Sequence, residues 1–307
     1  MQELEIVQYP QLDGLRLFLN TVYYRTPHLH SEWELILVLE NTLFIRSGQA
    51  NYLVEPGQMI LFNPNEPHEF QRTDGGCTFA CMQVSQRILP VSTRLRVEGC
   101  LLHRYLSPEE MEDITSLFLN VLRKYLRQEE QYALYCVAQC CMIFYRLLSK
   151  VPSRELTPAQ AAHMDKRNTL LKRLVKFVDD NYTTKIRLSD FAEAEGYTVS
   201  YLSQYIKTSM NQTFQEYVTS VRLNCARNMI AAGRKRMLDI CMESGFSDYR
   251  YFCKAFRKQY NMTPETYRHS NSQSKRLSVL RCSIHSEETF YSWEDSLMLL
   301  EDLLRQQ

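Results

Sequence analysis

The chain has 307 residues, of which 45% are hydrophobic and 23% are charged, and it contains only 9 glycines and 10 prolines. This composition excludes long disordered tracts and leaves room for two folded domains. The net charge of +1 hides an asymmetry: residues 1–106 carry 8 Lys and Arg against 11 Asp and Glu, whereas residues 169–270 carry 16 against 10. Residues 169–270 are therefore expected to bind a polyanion.

The spacing of the cysteines and the first ten residues indicate the cell compartment in which the protein is expected. Ten cysteines are scattered without a CxxC pair, and the opening MQELEIVQYP is acidic and has no apolar segment typical of a signal peptide. We therefore expect a reduced, cytoplasmic protein. The longest apolar run, Tyr132–Leu148, contains Gln139 and Arg146. It is short and polar for a membrane span, so we expect a packed helix and no membrane partner.

Residues 1–106 are predicted to form strands. Short runs rich in β-branched, leucyl and aromatic residues, such as ELILVLENTLFIR, ANYLV and CTFACMQV, are separated by turn material such as EPGQ, NPNEP and TDGG. Because no helical pattern lies between these runs, we expect antiparallel pairing in a sandwich or barrel.

One of these runs begins with HLHSEWEL, which holds His28, His30 and Glu34. Imidazole and carboxylate together suit Zn, Fe, Mn or Ni, and an enzyme would need such an ion with an open coordination position. A polar patch that binds a small molecule inside a barrel is a second interpretation. Structural histidines that satisfy strand carbonyls are a third, and the residues alone leave all three open.

Residues 107–150 change to a helical period. Ser107 fits an N-cap and Pro108 a first turn, and apolar residues then recur at steps of three and four. A second helix is predicted to follow from about residue 130 to 149. The two helices could pack on the β domain or on a second copy, and we favour a dimer contact. Residues 151–167 hold two prolines and no sustained apolar face, so they are predicted to be a linker.

The helical half contains an internal repeat, LSDFAEAEGYTVSYLSQYIK at 188–207 and MLDICMESGFSDYRYFCKAFR at 237–257. Gly196 matches Gly245 at an offset of 49, and after one inserted residue the offset becomes 50. Each copy reads as a helix, a turn with glycine and a second helix, which is typical of a helix-turn-helix. Residues 214–233 between the copies form one long helical pattern. A rigid helix there would hold the two recognition helices about 34 Å apart, one turn of DNA.

The second helix of each copy should bury one face and expose the other. The residues predicted to face the core are Leu202, Tyr205, Ile206, Phe252, Ala255 and Phe256. Gln and Arg can read base edges through paired hydrogen bonds, and Ser, Tyr and Lys can reach bases or phosphates. The residues predicted to contact DNA are Ser200, Ser203, Gln204 and Lys207 in the first copy and Tyr249, Arg250, Lys254 and Arg257 in the second. A protein-binding scaffold with a solvated charged face is the alternative, and two copies on a basic segment favour DNA.

Residues 243–268, ESGFSDYRYFCKAFRKQYNMTPETYR, closely resemble the signature of AraC-type transcription regulators (the AraC/XylS family). The first copy and the later VRLNCA resemble that family's first helix-turn-helix and linker helix. The resemblance implies a seven-helix DNA-binding domain joined to a divergent effector or dimerisation domain. Cys253 departs from the family pattern, in which small polar residues are commoner, so it is not among the predicted contacts.

The N-terminal part resembles the cupin-like arm of the same family. HLHSEWEL and EPGQMILFNPNEPHEF are similar to the two cupin motifs, and His68 stands where the second motif has its histidine, although the usual glycine of that motif is missing. In metal-binding cupins these four residues are ligands. On this resemblance we expect His28, His30, Glu34 and His68 to line an effector pocket, with no cofactor, and we regard a metal site as the less favoured use of the same residues.

The predicted fold is multidomain: a cupin-like β-barrel (1–106), following helices (107–150), the linker (151–167), an all-α domain with two helix-turn-helix motifs (168–270) and an extension of unassigned role (271–307). We predict a bacterial, non-enzymatic transcription regulator. Its expected partners are double-stranded promoter DNA, a second copy of the chain, RNA polymerase and a small-molecule effector. A sugar is one candidate effector, because Trp33, Tyr23 and Tyr52 lie near the predicted pocket. The alternative function is a metal-dependent cupin enzyme, an oxygenase or isomerase, with a helical appendage.

Overall fold

The computed structural model describes residues 3–4, 11–71, 75–210, 212–231, 233, 235–260, 262–271 and 286–305. These residues divide into two compact units. One spans residues 11–168 together with 287–305, and the other spans residues 169–271. The first unit contains the strands of the barrel and the helices that pack on them, and the second is built from helices.

The first unit is a nearly closed antiparallel β-barrel followed by helices, as the sequence predicts. Its main sheet runs in the order β5-β4-β7-β2-β8-β3-β6, with a late strand, β11, also paired to β2. β9 and β10 form a separate pair. The strands are β1 (Glu3–Leu4), β2 (Leu15–Leu29), β3 (Trp33–Glu40), β4 (Leu43–Ser47), β5 (Ala50–Val54), β6 (Met59–Phe62), β7 (His68–Gln71), β8 (Cys77–Val84), β9 (Leu95–Val97), β10 (Ser153–Glu155) and β11 (Ser286–Phe290).

The alternation of side chains along the strands separates two apolar clusters. An inner cluster fills the barrel and includes Ile36, Phe70 and Phe79. An outer cluster lies between the sheet and the helices and includes Leu35 and Met82. Adjacent residues of one strand thus belong to different clusters, which fixes the register of the barrel, because a slip by one residue would exchange the two faces.

Two long helices, α1 (Pro108–Arg127) and α2 (Tyr132–Leu148), cover the outer cluster, and a short 3-10 helix at Leu102–Arg104 precedes them. α1 begins where the sequence predicts: the Ser107 hydroxyl accepts from the Glu110 amide at 3.2 Å, and the Glu110 carboxylate accepts from the Ser107 amide at 2.9 Å. By length and composition alone, the helix Tyr132–Lys150 could cross a membrane. A core helix meets the same criterion, and one face of α2 is buried against α1.

The second unit contains two helix-turn-helix pairs, α4 with α5 and α7 with α8, on either side of a long helix, α6. Its helices are α3 (Pro158–Asn181), which starts in the first unit, α4 (Leu188–Glu195), α5 (Val199–Met210), α6 (Phe214–Ala231), α7 (Met237–Glu243), α8 (Tyr249–Tyr260) and α9 (Pro264–Asn271). Phe246, Phe252 and Phe256 form the centre of the cluster that joins α6, α7, α8 and α9. The repeat in the sequence therefore corresponds to a repeat in the structure.

The predicted linker, residues 151–167, is in large part structured, which corrects that prediction. β10 lies within it, and α3 already begins at Pro158. The Thr157 hydroxyl accepts from the Gln160 amide at 3.3 Å, and the Gln160 side chain accepts from the Thr157 amide at 2.9 Å. This capping box starts a helix whose first turns bury few side chains. The sequence therefore has no apolar periodicity there that would predict a helix.

The C-terminal extension returns to the first unit. Residues 286–290 are β11, and residues 293–305 form α10 (Trp293–Arg305), whose Leu300 is fully buried in the outer cluster. Glu301 on α10 accepts from Arg123 at 3.1 Å and from Arg127 at 3.4 Å, both on α1. Residues 272–285 of the predicted extension lie outside the described residues.

Candidate functional site

His28, His30, Glu34 and His68 come together inside the barrel. His28 near the end of β2 lies directly opposite His68 at the start of β7, and Glu34 lies on β3. All four side chains are buried, and each offers a ligand atom within 4.8 Å of the others. We call these four residues the histidine centre.

Two of the imidazole rings are oriented by hydrogen bonds to backbone carbonyls. His28 Nδ1 lies 3.0 Å from the carbonyl oxygen of Thr26, and His68 Nδ1 lies 2.9 Å from that of Glu66. A carbonyl oxygen can only accept, so each Nδ1 carries a proton and donates it to the backbone. His28 Nε2 has no hydrogen-bond partner within the described part of the chain. The Nδ1 atoms of His28 and His68 are thus both engaged by the backbone.

The carboxylate of Glu34 is oriented in the same way. Its Oε1 accepts from Gln83 Nε2 at 3.0 Å and from the Cys81 thiol at 3.2 Å. Its Oε2 lies 2.8 Å from His68 Nε2 and 3.3 Å from His30 Nε2. Oε1 of Glu34 is therefore held by two side chains of β8, and Oε2 faces His30 and His68.

Burial and neighbouring charges set the protonation states. Burial alone would raise the pKa of Glu34, but the charges and hydrogen bonds of His30 and His68 outweigh it and hold this pKa well below its usual value. Burial, followed by the charge of Arg25, lowers the pKa of His28 well below its usual value. An ionised carboxylate and a neutral imidazole are the forms that bind a cation.

These residues fit a divalent transition metal ion. Three imidazoles and one carboxylate converge in a buried site, and such mixed N and O ligands suit Zn, Fe, Mn or Ni. Metal-ligating histidines usually donate their other ring nitrogen to a carbonyl or carboxylate, which fixes the tautomer. His28 and His68 make this second contact through Nδ1.

The aromatic side chains expected to stack on a sugar are distributed differently. Trp33 is fully buried in the outer cluster, with its ring centroid 6.0 Å from that of Phe144 on α2. Trp33 therefore lies on the opposite side of β3 from the centre. Tyr52 packs against the inner cluster, and Tyr23 is 37% exposed.

The predicted DNA contacts form two outward faces. On α5, Leu202, Tyr205 and Ile206 are buried as predicted, and on α8 Phe252 and Phe256 are buried, whereas Ala255 is only half-buried. The predicted contact residues that are exposed are Ser200, Ser203, Gln204 and Lys207 on α5 and Arg250, Lys254 and Arg257 on α8. Tyr249 differs from them, because it is half-buried and its hydroxyl donates to Glu265 Oε1 at 2.6 Å.

Two tyrosines that the prediction omitted also belong to these faces. Tyr201 on α5 is 44% exposed and Tyr251 on α8 is 50% exposed. They occupy the same position in the two copies, at the offset of 50 that relates the second helices. The repeat itself was therefore the signal that could have found them.

Two family models match the chain, and together they span more than half of it. The AraC-like ligand binding domain matches residues 11–138, and the Helix-turn-helix domain matches residues 191–270. The first match includes β2 to β9 with the histidine centre, and the second includes most of α4, all of α5 to α8 and α9 up to residue 270.

Curated relatives resemble the chain over most of its length. The HTH-type transcriptional activator RhaS of Mannheimia succiniciproducens is 22% identical over 248 residues, which cover 78% of this chain and 88% of that protein. The uncharacterized HTH-type transcriptional regulator YdeC of Bacillus subtilis is 23% identical over 262 residues, which cover 80% of this chain and 86% of that protein. A solved structure of ToxT from Vibrio cholerae is 12% identical, has a TM-score of 0.43, and covers 85% of this chain and 99% of its own. The two matched family models and the two curated regulators show that the chain belongs to the AraC-type family of transcription regulators, with an N-terminal ligand-binding domain.

Proposed function

We propose that the chain controls promoters by placing α5 and α8 in successive major grooves, under the control of a ligand at the histidine centre. The observation that carries the DNA-binding half is the outward face of α8, where Arg250, Lys254 and Arg257 are all exposed at helical spacing. Cations in that arrangement can neutralise phosphates, and an arginine can pair with both acceptors of a guanine edge.

Selection from random duplexes tests this half directly. The full chain should enrich two short sequence elements separated by one helical turn. The variant with both Arg250→Ala and Lys254→Ala should enrich neither element. Unchanged DNA retention by that double variant would instead support a protein-binding scaffold.

For the ligand, we infer that the histidine centre holds a divalent transition metal ion through His28, His30, Glu34 and His68. This departs from our expectation of a pocket without metal, and the support is the pair of imidazoles whose Nδ1 atoms are already committed to carbonyls. When bound, such an ion supplies a positive charge and a Lewis acid inside the barrel. Because the relatives are named as transcription regulators, we propose sensing, and not catalysis, as its use.

Metal analysis of the full chain, expressed without a histidine tag, tests this inference. We expect one equivalent of ion per chain, lost in His68→Ala and retained in His163→Ala, where an exposed histidine outside the barrel is changed. Equal metal content in the two variants would contradict the assignment. A sugar is not our proposal, because the stacking ring expected from Trp33 lies in the outer cluster.

We also propose that the chain forms a dimer through α2. Leu134, Ala138, Met142 and Tyr145 form an exposed stripe on this helix, with Leu134 70% and Tyr145 71% exposed. The neighbouring helix α1 is already contacted by α10, which leaves α2 as the apolar face available to a second copy. Leu134→Glu should shift the full chain from dimer to monomer in sedimentation, and an already monomeric parent chain would contradict the proposal.

A further inference from the structure

The C-terminal strand β11 carries a buried carboxylate to the barrel. Glu288 is 4% exposed, and its Oε2 accepts from Asn20 Nδ2 at 2.6 Å and lies 3.5 Å from Arg25 Nη1. Both partners are buried residues of β2. The contact joins residues 268 positions apart in the chain.

Asn20 and Arg25 both face the inside of the barrel. In the strand register Asn20 lies opposite Phe79, and Arg25 lies opposite Phe70. Directly opposed residues of antiparallel strands share a face, and both phenylalanines belong to the inner cluster. The carboxylate of Glu288 therefore reaches polar groups that line the barrel interior.

The end of β11 and the residue after it also contact β2. The ring centroid of Phe290 lies 5.3 Å from that of Phe18, and Tyr291 and Thr21 share a hydrogen bond of 2.6 Å between their hydroxyls. These contacts place β11 along the first half of β2, whereas β7 pairs with Arg25 and His28 in the second half. β11 therefore extends the sheet beside the first half of β2.

The Glu288 carboxylate comes from a segment remote in sequence, which suggests that a free carboxylate could take its place. A buried cation is costly unless a charge of opposite sign compensates it. For Arg25 one such charge comes from Glu288, on a five-residue strand that follows the DNA-binding domain in the sequence. A tethered group of this kind competes as an intramolecular ligand and can be displaced by a free molecule with the same chemistry.

We propose that Asn20 and Arg25 form a carboxylate-binding subsite, that Glu288 fills it as an internal ligand, and that a small organic acid, a second ligand of the barrel beside the metal ion, acts as an effector when its carboxylate replaces that of Glu288. The inference rests on the proposed role of the barrel as the effector domain. Arg25 is three residues before His28 on β2, and its positive charge contributes to the low pKa of that histidine. The subsite and the histidine centre are thus neighbours within one barrel.

Chemical rescue of the full chain tests the subsite. Glu288→Ala leaves Arg25 without the Glu288 carboxylate, so this variant should melt at a lower temperature than the parent chain, and acetate should restore its melting temperature. The half-saturating acetate concentration should be at least about tenfold lower for Glu288→Ala than for the parent, in which the tethered carboxylate competes. Glu294→Ala, which changes an exposed acid of α10, should respond as the parent does.

Two compounds serve as controls for acetate. Acetamide has the same shape without the charge, and chloride at equal ionic strength measures the effect of ionic screening alone. Equal responses to acetate, acetamide and chloride, or equal acetate responses of Glu288→Ala and Glu294→Ala, would overturn the subsite. If Glu288→Ala does not fold, Glu288→Gln keeps the shape of the side chain. Its half-saturating acetate concentration must then fall below that of the parent, and an equal value would overturn the proposal.

DNA retention measured on the same samples separates this inference from the proposed function. A chain that shows acetate rescue and never binds DNA would contradict the regulatory function and keep the subsite. A chain that binds DNA and shows no rescue would contradict the subsite and keep the regulatory function.

Discussion

The two helix-turn-helix units have the same fold and different surfaces. The second helix of the first unit, α5, exposes neutral side chains and one cationic side chain, whereas that of the second unit, α8, exposes four cationic side chains. The exposed polar residues are Ser200, Ser203, Gln204 and Lys207 on α5 and Arg250, Lys254, Arg257 and Lys258 on α8. Phosphate attraction grows with the number of cations, whereas neutral groups contribute through hydrogen bonds to base edges. We infer that α8 supplies most of the affinity and α5 mainly adds discrimination.

The turns of the two units also differ. Gly196 and Gly245 both have positive φ, at +72° and +89°. A Cβ on Gly196 would meet nothing within 4 Å, whereas a Cβ on Gly245 would lie 2.5 Å from the carbonyl oxygen of Tyr182 and 2.9 Å from Arg222 Nε. Arg222 donates to that same carbonyl at 2.7 Å. The second turn is thus packed against the segment after α3, and the first is open.

The largest expected effect compares these two glycines. Gly196→Ala should cost about 1 kcal/mol in the free energy of unfolding, the penalty of a left-handed backbone for alanine. Gly245→Ala should cost about 3 kcal/mol or more, because a steric clash with backbone is added to that penalty. Denaturant unfolding of both full-length variants, followed by helical circular dichroism, measures the difference. Equal midpoints would remove the distinction between the two turns.

Arg250→Ala should have the largest effect on DNA. We expect a loss of about 1–3 kcal/mol on the selected site and relaxed discrimination at one or two base pairs. Fluorescence anisotropy on the selected duplex and on a random duplex measures both quantities. An equal loss on the two duplexes would reassign Arg250 to a phosphate contact.

Gln204→Ala tests the other half of the comparison. We expect a loss of about 1 kcal/mol on the selected duplex, no loss on random DNA and an unchanged slope of affinity against salt. Lys254→Ala is the matched variant on α8 at the equivalent position, and it should reduce that slope by about 1. A change of salt slope in Gln204→Ala would contradict the division of roles between the helices.

Local patterns in the sequence predicted much of this fold. The antiparallel strands, the N-cap of α1 at Ser107 and the two helix-turn-helix units were all visible in periodicity, caps and glycines close together in the chain, whereas the choice of a barrel over a sandwich came from the resemblance to a cupin. α3 was predicted to start about ten residues late, because its first turns bury little. The return of residues 286–305 to the barrel could not be predicted, since it depends on contacts such as Asn20 with Glu288 that are remote in sequence.

The sites follow the same rule. The resemblance to a cupin named His28, His30, Glu34 and His68, and the pairing of β2 with β7 is what brings the first and last of these together. Exposed positions on α5 and α8 followed from helical spacing alone. The hydrogen bond of Tyr249 to Glu265 could not be predicted in this way, because spacing places Tyr249 outward and gives no information about a partner on the following helix.

Tyr249 provides the smallest effect and the finest test of the comparison. At the equivalent position the first unit has Val199, so a hydroxyl at this place belongs to the second unit alone. Tyr249→Phe removes the hydrogen bond to Glu265 and should lower the free energy of unfolding by about 0.5–1.5 kcal/mol. DNA affinity should remain within about 0.5 kcal/mol of the parent, since the hydroxyl is already engaged within the domain. A loss of affinity on the selected duplex without a loss of stability would return Tyr249 to the set of DNA contacts and make the reading face of α8 wider than that of α5.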